Sequence, residues 1–293
     1  MAAVAAAFLV RAIGVKRLLL ATCIVGAASP QSHAEGHGPL FGLATPTLAQ
    51  GQWSSDTGIM RMQSDAGGQW RARQMIGYGI NEDLQVSLTV PLGNRGSDMM
   101  TPNARGGAMM GQAGAVEGSL LWRFHRTAPK VGTRWESSLL VGVAKGDEFG
   151  PDRRDAGPSF HLAAVTGYVS RTTYWWLGGG GQWHRAEHGS HRGDLTYATA
   201  VFGWRPPVFR GDYPKPDWRL FAEAVVEHAG HDRMGGRPMP DSGGTRVLAG
   251  PSVLGLFGAW GVSAGVLFPL KEHLNGTQPD THYRAKLVFT YWF

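Results

Sequence analysis

The chain has 293 residues, a formal net charge of +6, 43 glycines, 11 tryptophans and one cysteine. Arg11, Lys16 and Arg17 supply three of these charges, and the +3 left on the rest of the chain is too weak to predict nucleic-acid binding. The single Cys23 excludes a disulfide framework, and after residue 34 no run reaches the about 18 consecutive apolar residues of a transmembrane helix.

The N-terminus has the pattern of an export signal. Its basic residues precede an apolar run from Leu18 to Ala28, and Ser32-His33-Ala34 then places small residues at the −3 and −1 positions of a cleavage site. The run is shorter than the about 20 residues that a membrane-spanning helix needs. The sequence therefore predicts a signal peptide at 1–34 and a mature, cysteine-free chain that begins at Glu35.

From Trp53 onward, apolar and polar residues alternate in segments of about ten, separated by clusters of Gly, Pro, Asn and Asp. The clearest hairpin runs from Trp70 to Ile80, turns at Asn81-Glu82-Asp83 and resumes from Leu84 to Leu92. Because a period of two is typical of strands, the pattern predicts twelve of them. They lie near residues 53–63, 70–80, 84–92, 113–125, 134–145, 159–169, 174–184, 194–204, 218–228, 245–256, 260–269 and 282–293.

The connections between these segments alternate between short turns and long loops, which is the layout of an outer-membrane barrel with its short turns on the periplasmic side. The long, proline-rich connection from Arg205 to Asp217 is an exception. We predict an all-β protein: a closed, transmembrane, antiparallel β-barrel of about twelve strands over residues 53–293. Residues 35–52, rich in Gly and Pro, are predicted to form a periplasmic tail or a plug.

A soluble β-sandwich would also alternate, but two features favour the barrel. Arginines occur in the middle of strands on the polar face, which lipid would reject and a wet interior accepts. Aromatic residues concentrate at strand ends, as in interfacial girdles. They are Trp70, Tyr78, Trp135, Tyr174, Trp175, Trp176, Trp183, Trp204, Trp218 and Trp260.

The last predicted strand has one unbroken apolar face that ends on a C-terminal aromatic residue. This pattern resembles the C-terminal signal by which outer-membrane barrels are recognised for assembly, so we expect the barrel-assembly machinery to be a partner. The face consists of Tyr283, Ala285, Leu287, Phe289, Tyr291 and Phe293, while Arg284, Lys286 and Thr290 occupy the other face.

Two stretches resemble a known family. These are the opening from Gly36 to Thr47 with Gln52-Trp53-Ser54, and the hairpin from Tyr78 to Leu88. Both are similar to the meta-pathway phenol-degradation type of outer-membrane transporter, at the level of motifs over the first third of the mature chain. The resemblance implies a barrel of about this size and the uptake of small, often aromatic, compounds, and it carries over no functional residue.

Candidate chemistry outside the lumen is weak. His184-Arg185-Ala186-Glu187-His188 matches the H-x-x-E-H pattern of a zinc-protease class, but Gly178 to Gly181 and Gly189 flank it, which favours a strand end and a loop over the required helix. His184, His188 and His191 remain weak candidates for a metal site, and solvated loop histidines are the simpler interpretation. We predict no cofactor and no catalytic residue.

The lumen is the better place for function, because a channel selects solutes by the charges and width of its lining. The alternation predicts an excess of positive charge on the inward face, which favours either a weakly anion-preferring path or a network of ion pairs that makes a narrow barrel rigid. The predicted lining residues are Arg71, Arg73, Glu117, Arg123, Arg134, Glu136, Arg219, Glu223, Arg246, Arg284 and Lys286.

The leading prediction is a bacterial outer-membrane pore or transporter for passive uptake of small hydrophobic or aromatic solutes, in contact with membrane lipid and lipopolysaccharide. Two alternatives belong to other classes. One is an outer-membrane lipid hydrolase, for which Ser159 and His161 are the nearest candidate pair. The other is a structural or adhesive barrel that acts through its loops.

Overall fold

The structure is a computed structural model that describes residues 38–92, 116–145, 148–149, 154–155, 157–211 and 215–293. These residues belong to one compact unit, Ala34–Phe293. The predicted signal peptide lies outside the described residues, as do the first three residues of the predicted strand at 113–125. Within the described ranges, no helix is long and apolar enough to cross a membrane.

Twelve long strands form a closed barrel in which every neighbouring pair is antiparallel, as the alternation predicted. The barrel closes where β1 pairs with β17, from Ser54 opposite Trp292 to Met62 opposite Arg284. The barrel strands are β1 (Trp53–Ser64), β2 (Gly67–Asn81), β3 (Leu84–Leu92), β4 (Val116–Thr127), β5 (Thr133–Lys145), β8 (Ser159–Ser170), β9 (Thr173–His184), β11 (Leu195–Trp204), β12 (Asp217–Ala229), β15 (Gly244–Phe257), β16 (Trp260–Leu274) and β17 (Thr281–Trp292).

The connections differ from expectation in two respects. β1 and β2 are joined at the long-loop rim by a turn of only Asp65 and Ala66, because both strands extend further than their apolar pattern indicates. Short ladders also form within the long loops, where the sequence predicted no strands. They are β6 (Glu148–Phe149) with β7 (Arg154–Asp155), and β10 (Ser190–His191) with β13 (Arg233–Met234) and β14 (Arg237–Pro238).

Successive side chains point to opposite sides of the barrel wall. In β11 the residues alternate strictly between buried and exposed, from buried Leu195 to exposed Trp204. The outward positions carry exposed apolar side chains, such as Leu88, Leu177 and Phe202. The wall therefore presents apolar groups to its surroundings and places most of its charged groups inside.

Aromatic side chains pair across neighbouring strands on the outer surface near the short-turn rim. Trp53 lies 4.6 Å from Tyr78, and Trp135 lies 4.8 Å from Trp175, between ring centroids. Tyr174 and Trp176 do not join this outward belt, contrary to the prediction. Their position in β9 turns both side chains inward, where they are 5% and 3% exposed and stack on each other.

The N-terminal segment, which we define as residues 38–52, fills part of the interior. Leu43 and Leu48 belong to one buried apolar cluster with inward residues of the wall, and Leu40 and Phe41 belong to a second with Val225 and others. Glycines in the wall, which have no side chain, leave room for the segment. A Cβ on Gly79 would lie 2.0 Å from the carbonyl oxygen of Ala49.

Candidate functional site

Glu223 of β12 holds the beginning of the N-terminal segment. Its carboxylate accepts three consecutive main-chain N–H bonds, from Leu40 at 2.9 Å and from Phe41 and Gly42 at 2.7 Å each. The Ser252 hydroxyl donates to the same carboxylate. Successive N–H groups that converge on one anion form a nest, in which each bond is assisted by the charge. Glu223 is only 2% exposed, so the attachment is shielded from water.

The same part of the segment is also held by a second strand, which is separated from β12 by β15 and β16. Lys286 of β17 donates from Nζ to the carbonyl oxygen of Leu40 at 2.8 Å. Gly42 must be glycine here, because a Cβ would lie 2.3 Å from Cγ2 of Val201. The beginning of the segment is therefore fixed to both β12 and β17.

Thr45 is the next point of attachment. Its hydroxyl donates to Glu136 at 2.9 Å and accepts from the indole N–H of Trp176 at 3.0 Å, while its carbonyl oxygen accepts from the Ser138 hydroxyl at 3.0 Å. Glu136 is fully buried and also pairs with Arg123 at 3.2 Å. The segment then continues to the short-turn rim, where the main-chain N–H of Leu48 donates to the side-chain oxygen of Gln85.

An internal cavity of about 260 Å³ lies between the segment and the barrel wall. Charged side chains line it from several strands, with Arg73 and Lys286 opposed by Asp56 and Glu117. Uncharged polar and apolar side chains share the remaining wall. The apolar ones include Met75, Leu121, Leu140, Val165 and Val288.

Two glycines set the shape of this cavity. The Arg73 side chain passes over Gly58, where a Cβ would lie 3.6 Å from its Cγ. The His161 ring lies over Gly142, where a Cβ would be 2.4 Å from Cε1, and so reaches Glu117 with Nδ1 3.5 Å from its carboxylate. The Arg73 guanidinium has no hydrogen-bond acceptor among the described residues, so its donors face the cavity.

A second, more open pocket of about 540 Å³ lies at the short-turn rim, and we call it the mouth pocket. Pro46 of the N-terminal segment lines both the cavity and the mouth pocket. Thr45 and Pro46 therefore form the partition between the two spaces. Basic residues surround the mouth pocket, namely Lys130, Arg134, Arg171, Arg205 and Arg219.

Towards the long-loop rim, the inward charges pair with one another. Arg284 is 1% exposed and donates from Nη1 to both carboxylate oxygens of Glu227 at 2.9 Å. Arg246 pairs with Glu272 at 2.8 Å. Arg71 projects into the same region, from a position in β2 opposite Met60. This half of the lumen is a network of ion pairs.

The predicted lining residues thus fall into separate groups. Arg123, Arg134 and Glu136 lie together at the partition, Arg219 lies at the mouth pocket, Arg73 and Glu117 lie at the cavity, and Glu223 and Lys286 hold the segment. The alternation gave no indication of the roles of Asp56, Thr45 and Trp176. A polar threonine between apolar residues of the segment is the one signal that could have pointed to a buried attachment.

The other candidates lie apart from this site. His184 faces inward at the long-loop rim, with Nδ1 3.9 Å from Asp194, and His191 belongs to the short ladder of β10. No group of three or more His, Cys, Asp or Glu residues in the described part of the chain is arranged to hold a metal ion. Ser159 accepts a hydrogen bond from Gln182 and, within the described residues, makes none with His161.

The apolar face of β17 forms part of the outer surface. Leu287 and Phe289 are exposed, and the rings of Trp260 and Tyr291 lie 4.1 Å apart. Tyr283 lies on the same face, opposite Gln63 of β1. Phe293 exchanges main-chain hydrogen bonds with Trp53 at 2.9 and 3.1 Å, which joins the two ends of the barrel.

These features define a class: a closed, twelve-stranded antiparallel barrel with a polar interior crossed by its own N-terminal segment. An outer membrane channel from Pseudomonas putida has a similar structure, with a TM-score of 0.56 and 9% identity over 85% of this chain and 98% of that one. The KdgM and NanC porins give TM-scores of 0.46 and 0.47, with 8% and 7% identity over 82% of this chain and 99% and 98% of theirs. No protein-family model and no curated protein matches the sequence.

Proposed function

We propose that the protein is a passive transporter of the bacterial outer membrane that admits small hydrophobic or aromatic compounds. The observation that carries this proposal is the cavity inside the closed barrel, which meets the mouth pocket at the partition, where Pro46 lines both spaces. The short-turn rim faces the periplasm in this proposal, as in outer-membrane barrels generally. The path therefore runs from the long-loop side through the cavity and past the partition.

The outer surface supports a membrane location. Apolar side chains cover the wall, and the aromatic pairs near the short-turn rim match the girdles that anchor barrels at the membrane interface. Membrane lipid and lipopolysaccharide are therefore the proposed surroundings, reached after removal of residues 1–34 as a signal peptide. The assembly machinery would recognise β17 by the exposed face that ends at Phe293.

The apolar part of the cavity lining supports a solute with an apolar ring, and its polar part supports a polar substituent on that ring. Ligand pockets usually have volumes of about 300–1,000 Å³, so the cavity of about 260 Å³ suits a compound of one ring with short substituents. Leu121 and Leu140 offer an apolar wall for such a ring. The Arg73 guanidinium offers donors for a polar substituent, since no side chain in the described ranges accepts them.

Passage requires the N-terminal segment to move. In the described state, the attachments at Glu223 and Thr45 hold the segment across the lumen. We propose that the partition opens when the bonds of Thr45 to Glu136, Ser138 and Trp176 break, because these bonds fix the residue next to Pro46 on the β5 and β9 walls. The protein is then a plugged transporter that opens transiently.

Single-channel conductance of the refolded chain from Glu35 onward, in planar bilayers, tests the proposal. We expect brief openings that a monocyclic aromatic compound such as phenol blocks from the long-loop side. Leu140→Trp should fill the cavity and abolish the block. Leu139→Trp is the matched control, because Leu139 lies on the outer face of the same strand. A membrane that stays silent, or two variants that respond alike to phenol, would refute the proposed path.

A further inference from the structure

The mouth pocket has a strong excess of positive charge. Five cationic side chains line it, and none of the described carboxylates does. Asp217 pairs with Arg205 and Arg219, and Glu136 lies 3.5 Å from Arg134. Glu136 is shared with Arg123, which also pairs with Asp83. The lining of the mouth pocket is therefore strongly cationic, unlike that of the cavity, where acidic and basic groups balance.

Two of the arginines are fixed in position with donors to spare. Arg205 and Arg219 both bind the Asp217 carboxylate, and in both hydrogen bonds the donor is Nε. Their terminal Nη groups have no acceptor in the described part of the chain. Both side chains are largely buried, at 21% and 14% exposure, so the donors lie in surroundings of reduced dielectric.

Aromatic contacts hold this arrangement rigid. The Arg219 guanidinium lies 5.4 Å from the centre of the Tyr174 ring, which itself stacks on Trp176 with an interplanar angle of 3°. Arg171 approaches from the neighbouring turn between β8 and β9. Its side chain crosses Gly132, which has a φ of 76°, and a Cβ there would lie 2.8 Å from Nε of Arg171. Guanidinium groups thus converge from separate turns.

We propose that the mouth pocket is a binding site for small organic anions of the carboxylate class, separate from the internal cavity. A planar carboxylate can accept two parallel bonds from a guanidinium, and the spare Nη groups of Arg205 and Arg219 provide such donors. Pro46 and Val169 supply an apolar wall for the body of the anion. The site takes a charged compound, whereas the cavity is suited to an apolar ring with a polar substituent.

Isothermal titration calorimetry of the refolded chain in a non-ionic detergent tests this site with sodium benzoate. The uncharged benzyl alcohol is the comparison ligand. We expect benzoate to bind, and Arg205→Gln to weaken its binding about tenfold, the loss that corresponds to one charge-assisted hydrogen bond. Arg171→Gln removes a lining charge that has no partner in the described part of the chain, so it weakens binding without disturbing the fold.

Two further variants locate the anion. Arg126→Gln removes the same charge from the same rim, but Arg126 pairs with Glu82 outside the pocket, so binding should not change. Arg73→Gln alters only the cavity and should also leave binding unchanged. The proposal is overturned if benzyl alcohol binds as tightly as benzoate, if Arg205→Gln and Arg171→Gln both bind like the parent, or if Arg73→Gln removes the binding. Because no membrane is involved, the result is independent of conduction.

Discussion

Replacement of Glu223 by glutamine tests how firmly the N-terminal segment is held. A glutamine keeps one acceptor oxygen and substitutes an NH2 donor for the other, so at least one of the three main-chain N–H groups loses its acceptor. The remaining bonds lose the assistance of a full charge. Bonds to charged groups contribute about 1.5–3 kcal/mol and neutral ones about 0.5–1.5 kcal/mol. The attachment should therefore weaken by about 3 kcal/mol, or about a hundredfold in the docking equilibrium.

Thiol labelling measures this change directly, since the chain after residue 34 contains no cysteine. Pro39→Cys places a single thiol beside the nest, at the edge of the cavity. In that background, Glu223→Gln should accelerate labelling by a small maleimide and lengthen single-channel openings. Glu227→Gln is the matched control, because Glu227 lies on the same face of the same strand and pairs with Arg284 instead. If both variants label at the rate of the parent, Glu223 does not hold the segment.

Four further predictions concern the partition, the cavity, a loop contact and the C-terminus. Trp176→Phe removes the N–H bond to Thr45, and the loss of about 1 kcal/mol should speed the same labelling about fivefold. Trp175→Phe, on the outer face of the same strand, should leave the labelling rate unchanged. Gly142→Val should displace His161 and cost about 1–3 kcal/mol in urea unfolding, and Gly118→Val should be tolerated because a Cβ there meets nothing within 4 Å. The pKa of Asp241 is lowered because the main-chain N–H and the hydroxyl of Thr277 both donate to it. The contribution of this contact to stability is thus complete above the ordinary pKa of an aspartate and is lost as pH falls through the lowered pKa of Asp241. Thr277→Val removes the hydroxyl donor and should raise the Asp241 pKa in an NMR titration. Phe293→Ala should reduce the heat-modifiable barrel in the outer-membrane fraction, and Phe257→Ala should have a smaller effect; equal yields would argue against a signal at Phe293.

The alternation of residue types was sufficient to predict the barrel and nearly all of its strands. Strands such as β3 and β8 begin where predicted, because a period of two and the flanking turn residues are local properties of the chain. The errors occurred where local pattern is weak. The glycine-rich start of β2 is held in its strand by pairing with β1. The run Tyr174-Trp175-Trp176 is aromatic at every position, so its residue types do not indicate which side chains face inward.

The sequence by itself determined that the strands close into an antiparallel barrel and which side chains share a face, since both follow from residue order along each strand. Only the tertiary structure decided which inward groups meet. Arg284 pairs with Glu227 across two intervening strands, and Thr45 meets Glu136 from 91 residues away. Such contacts depend on the stagger between strands and on the path of the N-terminal segment, and neither leaves a periodic trace in the sequence.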